Sequence, residues 1–410
     1  MLQNLEGVQA QIRNTSPRYA ALTQPEPLSL DTIQQELDDQ TIVLEYQLGE
    51  QQSYLWLITH QTVESYVLPP RAEIEAAIRD LRRGIQQHRE LVTTVQTVSD
   101  MLLGPVAQRL QGQRLVIVPQ GAVAYVPFAT LINPQNPELV PLVVDHELVT
   151  LPSVSTLAVL REQTADREIA PKELAIVSDP VFNRTDPRLK AISPKSEDTS
   201  LSLYSAQITS AARSAGLNWQ RLPYTQVEAD AIASLISSEQ KFQANGLNAS
   251  FDTLTQQDLT DYQVLHFATH GLLNSEDPRL SALVLSFFST EGQHQDGYLR
   301  LHEIYNLELA AELVVLSACE TGIGKEVRGE GVMGLTRGFM YAGAERVVVS
   351  LWAVDDQGTA ELMQQFYQHL WQQELTPAAA LRAAQLDMWR SQGWDAPYYW
   401  AGFTLQGEWR

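Results

Sequence analysis

Cys319 is the only cysteine in a chain of 410 residues, and it stands where the apolar run Leu313-Val-Val-Leu-Ser-Ala gives way to Glu320-Thr-Gly322-Ile-Gly324. A thiol that merely fills a core sits more naturally inside such a run. At the end of a strand, beside glycines, backbone can wrap around a reacting group. A second segment, Val264-Leu265-His266-Phe267-Ala268-Thr269-His270-Gly271, has the same layout with histidine in the terminal place, 319 − 270 = 49 positions upstream. A free thiol, with a pKa of about 8.5, is only a few per cent thiolate at neutral pH unless an imidazole or fixed dipole stabilises the anion. The same imidazole can later return the proton to a leaving amine. The pair therefore has the composition of a cysteine hydrolase, with Cys319 as nucleophile and His270 as base and acid. Attack on a carbonyl creates an oxyanion, for which the backbone N–H groups of Gly271, free of any Cβ, and of Cys319 are the candidate donors.

Val347-Val-Val-Ser-Leu351-Trp352-Ala-Val-Asp355-Asp356 brings a third strand to its end in two carboxylates. A carboxylate at such a rim can pair with an Arg or Lys side chain of a substrate. Asp356 and Asp355 are thus the candidate substrate-binding residues, and Trp352 can flank the aliphatic stem of the bound side chain. Asp356 is also placed to cap the helix expected over about 358–371, and Asp355 can equally face solvent. Gly322, Gly324, Gly329, Gly331, Gly334 and Gly338 permit a mobile loop that turns into a helix, a wall of a peptide groove that orders on activation.

Two other chemistries fail on spacing. His266 and His270 are four apart, but Phe267 stands where a zinc-protease helix has glutamate, and the segment is strand-like. Gly322-Ile-Gly324-Lys325 lacks the first glycine of a phosphate loop, and Glu326 replaces its Ser or Thr. No metal and no organic cofactor are expected, because the acyl transfer uses only side chains and backbone dipoles.

The elements that must position these residues are strands near 174–178, 263–268, 313–317 and 346–351, alternating with helical stretches. That alternation predicts an α/β fold with a mostly parallel sheet. Ligands of such sheets bind beyond the carboxyl ends of the strands. If the strands before His270 and Cys319 are neighbours, their side chains emerge together. Thr225-Gln-Val-Glu228 has capping-box spacing and predicts a helix over about 226–237. Between Asn183 and Gly216 lie seven serines and five Lys or Arg residues without a period, which reads as an exposed, flexible insert. Cleavage after Arg184, Arg188 or Arg213 would make the chain a zymogen.

Upstream, residues 1–40 read as a helical leader or linker. Thr41–Tyr46, Tyr54–Ile58 and Val63–Leu68 read as a meander, 71–110 as helical, and Leu115–Val118 as a strand ending in Pro119-Gln120-Gly121. The expected division is 1–40, an α/β domain at 41–165, and the chemical domain at 170–410. The aromatic cluster Trp394, Tyr398, Tyr399 and Trp400 is expected to cover a last strand near Phe403.

Composition narrows the partners. With 28 Lys and Arg against 49 Asp and Glu, the net charge of −21 repels phosphate backbones and anionic lipid, which excludes nucleic-acid and membrane-surface binding and suits basic peptides. There is no 18-residue apolar run and no signal-peptide core, so the expected location is cytoplasmic.

His266-Phe-Ala-Thr-His-Gly-Leu272, Leu316-Ser-Ala-Cys-Glu-Thr-Gly322, Gly329-Glu-Gly331 and Leu351-Trp352 together resemble the CHAT-domain cysteine peptidases, relatives of separases and caspases. The resemblance spans about residues 40–410 and implies a caspase-like sheet flanked by helices, preceded by a pseudo-peptidase α/β domain without the dyad. It implies His270 and Cys319 as the catalytic dyad. Leu-Trp-Ala-Val-Asp-Asp356 is similar to the separase stretch whose final aspartate lines the S1 pocket, which implies Asp356 and a basic P1 residue. The caspase Gln-Ala-Cys-Arg-Gly sequence is absent, so cleavage after aspartate is not expected. Relatives often carry tetratricopeptide repeats upstream, which implies control by a TPR-containing regulator in addition to a protein or peptide substrate. The alternative is a dormant fold serving as a protein-interaction scaffold.

Overall fold

A computed structural model describes residues 27–190, 192, 208–210, 219–274, 280–317, 319–323 and 330–410, and at 273–274, 319–323 and 330–333 the backbone alone. The described chain forms two units, one reaching to Glu168 and taking in Leu405–Arg410, the other Ile169–Thr404.

In the first unit, β1 (Thr41–Gln47), β2 (Ser53–Ile58) and β3 (Val63–Leu68) make the expected meander, with Leu44 opposite Leu57 and Leu57 opposite Glu64. β4 (Arg114–Val118) and β5 (Leu148–Thr150) add in parallel on the far side of β1. The helix Arg71–Gln86 buries Ile74, Ile78, Leu81 and Ile85, the stripe that a 3.6-residue period places on one face. Leu405 and Gln406 of the last strand pair with β5, which is why the chain end belongs to this unit.

The second unit is built on β6 (Lys172–Ser178), β7 (Lys241–Asn245) and β8 (Tyr262–Ala268). β8 continues after one residue into β9 (His270–Asn274), which with β10 (Ala282–Val284), β11 (Tyr298–Arg300) and β13 (Cys319–Ile323) forms a separate four-stranded sheet in the order β11-β10-β9-β13. β12 (Leu313–Leu316) and β14 (Arg346–Ser350) complete the parallel array β14-β12-β8-β6-β7, and β15 (Phe403–Gly407) is the last strand. Every residue of β12 and β14 is buried, as parallel strands covered on both faces require. The molecule is therefore mixed α/β with a large, mostly parallel sheet flanked by helices. The small second sheet has no counterpart in the sequence-based expectation.

One helix start differs from its reading. The helix runs Tyr224–Ser234, and neither member of the Thr225/Glu228 pair acts as a capping box. Thr225 Oγ1 donates to Leu222 O at 2.7 Å and accepts from Asp179 N, while Glu228 is drawn inward, 1% exposed. Thr225 lies within the first turn and not before it, and the Glu228 carboxylate faces the buried His266. Of the expected insert at 183–216, the described part is 183–190, 192 and 208–210; Arg213 and the rest lie outside the described residues. Within it Arg188 is ion-paired to Asp179 and Asp186. The glycine loop at 324–329 also lies outside the described residues. Among the described residues no helix is long and apolar enough to cross a membrane.

Candidate active site

β8 and β12 are parallel neighbours, with Val264 opposite Leu313 and Phe267 opposite Leu316. Both run out at the same edge, and both chains then enter the second sheet. There β9 and β13 pair in parallel, and their first rung sets Cys319 opposite His270, followed by Glu320 opposite Gly271. Adjacent strands lie about 4.8 Å apart. Positions 49 apart in sequence thus become immediate neighbours. Thr269, fully buried, anchors the junction by donating its hydroxyl to Val284 O.

His270 is 8% exposed, its ring 5.0 Å from that of Phe182 and 5.3 Å from that of Trp219. Nε2 lies 2.7 Å from the carbonyl oxygen of Gln220. A carbonyl only accepts, so Nε2 carries the proton and the lone pair falls on Nδ1. That Nδ1 makes no hydrogen bond among the described residues. Burial pushes the pKa of His270 below its ordinary value, and the Gln220 carbonyl opposes that shift. Burial thus favours the neutral imidazole, the Gln220 carbonyl selects its tautomer, and Nδ1 is left without a partner among the described residues.

Asp356 begins the helix Asp356–Tyr367 that follows β14. The cap of that helix is Asp355, whose Oδ1 accepts the Gly358 N–H at 2.8 Å, so the capping role weighed for Asp356 belongs to its neighbour. Asp356 instead reaches across to another helix and accepts the N–H of Tyr224 on Oδ2 at 3.0 Å. Its pKa is pushed up to about 6, first by burial, with Glu228, Asp355 and Asp179 adding repulsion and the Tyr224 N–H opposing. Trp352 is 1% exposed, its indole N–H donating to Tyr398 O at 3.1 Å and its ring packed beneath Gly402. It supports the core in this conformation and offers no exposed ring face. Gly271 lies in β9, which is paired with β10 on one side and β13 on the other.

Sequence reasoning passed over three features. One is the Gln220 carbonyl, which no side-chain pattern announces. Another is Asp179, just past β6, held at φ 47° and 2% exposed. The third is a fully buried trio in which His266 places Nε2 2.8 Å from Glu228 Oε1 and Nδ1 3.0 Å from the Tyr367 hydroxyl. A histidine inside an otherwise apolar strand was the available signal for this last one. Among the described residues no group of three or more His, Cys, Asp or Glu side chains could hold a metal ion.

An α/β sheet that delivers one histidine and one cysteine to the first rung of a shared ladder defines a class. The CHAT domain family model matches residues 92–408, and the chain belongs to that family. Human Tetratricopeptide repeat protein 28 is 26% identical over 343 residues, which is 74% of this chain but 12% of that protein. The mouse protein of the same name is 36% identical over 105 residues, 26% of this chain and 4% of the relative. The chain thus spans a small fraction of these relatives' length. Separase in two crystal structures of the Saccharomyces cerevisiae separase–securin complex shares the fold, with TM-scores of 0.53 and 0.52 at 8% and 9% identity, over 98% of this chain and 31% of that one.

Proposed function

We propose that this chain is a cysteine endopeptidase in which Cys319 attacks the scissile carbonyl and His270 takes and returns the proton. The observation that supports this reading above the others is the Cys319–His270 rung, together with the unengaged Nδ1 beside it. Removing the thiol proton to Nδ1 while Nε2–H stays on Gln220 O gives an imidazolium stabilised on its far side by a carbonyl dipole. The thiolate adds to the carbonyl, the amine leaves with the proton, and water repeats the sequence on the acyl-enzyme. The N–H groups of Gly271 and Cys319 are the proposed oxyanion donors. Since both belong to paired strands, their use calls for a rearrangement of the β9 and β13 backbone, and this is where loop ordering or a partner would act. The relatives named for tetratricopeptide repeats support a TPR-containing regulator, and a partner or substrate that is itself a protein. Arg-containing fluorogenic peptides test the chemistry: the wild type should hydrolyse them and Cys319→Ala should not, while equal rates would remove the nucleophile assignment.

Asp356 is proposed to select a basic P1 residue, since a carboxylate with one oxygen on Tyr224 N–H has the second for a guanidinium or ammonium. The sign of its pH dependence follows from the raised pKa. Below about 6 the group is neutral and cannot discriminate; above about 6 it is charged. The ratio of kcat/KM for Arg over a neutral isostere at P1 should therefore rise between pH 5 and pH 7, roughly tenfold per pH unit at most. Asp356→Asn should flatten that rise, and a variant that keeps the full preference for Arg would reject the pocket.

A dormant scaffold is the second reading, favoured by the burial of His270 beneath Phe182 and Trp219. A thiol-reactive peptide probe separates the two. Labelling of Cys319 that His270→Ala abolishes supports the enzyme, whereas no labelling with any candidate activator supports the scaffold.

A further inference from the structure

Trp219 to Tyr224 form a strap whose Trp219 carbonyl accepts from Asn183 Nδ2 at 2.7 Å and which two carboxylates tie further along. At one end the Tyr224 N–H is held by Asp356. Near the other, Arg221 meets Asp179 as a fork, Nε 2.9 Å from Oδ1 and Nη2 2.7 Å from Oδ2. Asp179 is independently satisfied by Arg188, whose Nη1 lies 2.8 Å from Oδ2 and 2.8 Å from the Asp179 carbonyl. Arg188 in turn donates to Asp186 through Nε at 2.9 Å and Nη2 at 2.7 Å. The Arg221 side chain is 44% exposed. A half-exposed ion pair adds little to stability, and its carboxylate already has a partner. What the fork does supply is direction, because two parallel N–H···O bonds fix the guanidinium plane as a single contact cannot.

One peptide unit before Arg221 is the Gln220 carbonyl that receives His270 Nε2–H. We propose that Asp179 and Arg221 are a positioning pair for the dyad: their fork holds the Gln220 carbonyl against His270 and so keeps the imidazole in the tautomer and orientation that present Nδ1 to position 319. The inference rests on the His270–Cys319 reading. Asp179 and Arg221 act through Gln220, as a misplacement of about 1 Å at a catalytic group can cost about a hundredfold in rate.

The single thiol allows a test that needs no substrate. Alkylation of Cys319 by iodoacetamide, counted by intact mass, is followed against pH in the wild type and in His270→Ala, Arg221→Met, Arg221→Lys and the double variant Asp179→Asn/Arg221→Gln. Phe182, Trp219 and the Gln220 carbonyl lie against the His270 ring, and none of them titrates in this range. The wild-type midpoint should lie below that of a free thiol, about 8.5. Arg221→Met should move it at least halfway toward His270→Ala, a shift on the order of one pH unit. The double variant leaves no ion unpaired, should melt close to the wild type, and should shift as far; if Arg221→Met does not fold, this variant carries the test. Arg221→Lys should recover only part of the shift, since it restores charge without the fork. An Arg221→Met or double-variant profile that superimposes on the wild type while His270→Ala is displaced overturns the inference alone, as does complete recovery by lysine. A His270→Ala profile identical to the wild type overturns the dyad, and this inference with it.

Discussion

Replacing His270 should lower kcat/KM on a cleavable peptide by about 10²–10⁴-fold, the range that a positioned general acid–base contributes. Two substitutions separate chemistry from folding. His270→Ala leaves the Gln220 carbonyl without its donor, a loss of about 1–3 kcal/mol for a buried acceptor, and opens space beside Phe182 and Trp219. His270→Gln retains an N–H that can reach the same carbonyl but has no basic nitrogen. Both should be equally inactive, while the glutamine variant should unfold within about 1 kcal/mol of the wild type. Single-turnover rates and urea midpoints measured on the same samples would decide it. Activity retained by His270→Gln would show that the proton travels by another route.

That experiment probes a geometry only partly legible in the chain. The strand before His270 and the strand before Cys319 could be read from their apolar runs, whereas their adjacency was a condition that only the β8–β12 pairing supplies. The runs at 174–178, 263–268, 313–317 and 346–351 correspond to β6, β8, β12 and β14. Hidden from the sequence was the second sheet, because β10 and β11 are only three residues long and carry no period that a short window can resolve. His270 and Cys319 therefore open new strands and do not simply terminate old ones. The Gln220 carbonyl was equally hidden, since every residue type has one and only the fold selects which is used. Asp355 and Asp356 show a subtler gap: adjacent identical residues divide the tasks of capping one helix and bridging to another, and the choice depends on which helix lies opposite.

The second large effect concerns Glu228, His266 and Tyr367, which occupy the helix Tyr224–Ser234, the centre of β8 and the helix Asp356–Tyr367. The first of those helices directly follows the Gln220 strap, and the last begins with Asp356. Their relative placement fixes both ends of the site, and the trio is a buried polar link between them, beside the Asp356–Tyr224 contact. All three side chains are buried, Glu228 and His266 with 0% side-chain exposure. Removing one member strands the other: Glu228→Ala or His266→Ala should each cost about 3–5 kcal/mol, because a buried charge or donor loses its partner and water cannot replace it. Tyr367→Phe removes only the hydroxyl facing His266 Nδ1 and should cost about 1–3 kcal/mol. The two-site variant Glu228→Leu/His266→Leu fills the space with apolar volume and should be far less damaging than the sum of the single losses, giving a coupling energy on the order of 3 kcal/mol. If the penalties proved additive, with the single variants losing less than about 1 kcal/mol in urea melts, the trio would not be the link that holds these helices. A less stable link should also loosen the strap while the fold persists. Glu228→Gln, which keeps an acceptor toward His266 Nε2, should then lose more in peptide turnover than its change in urea midpoint would account for.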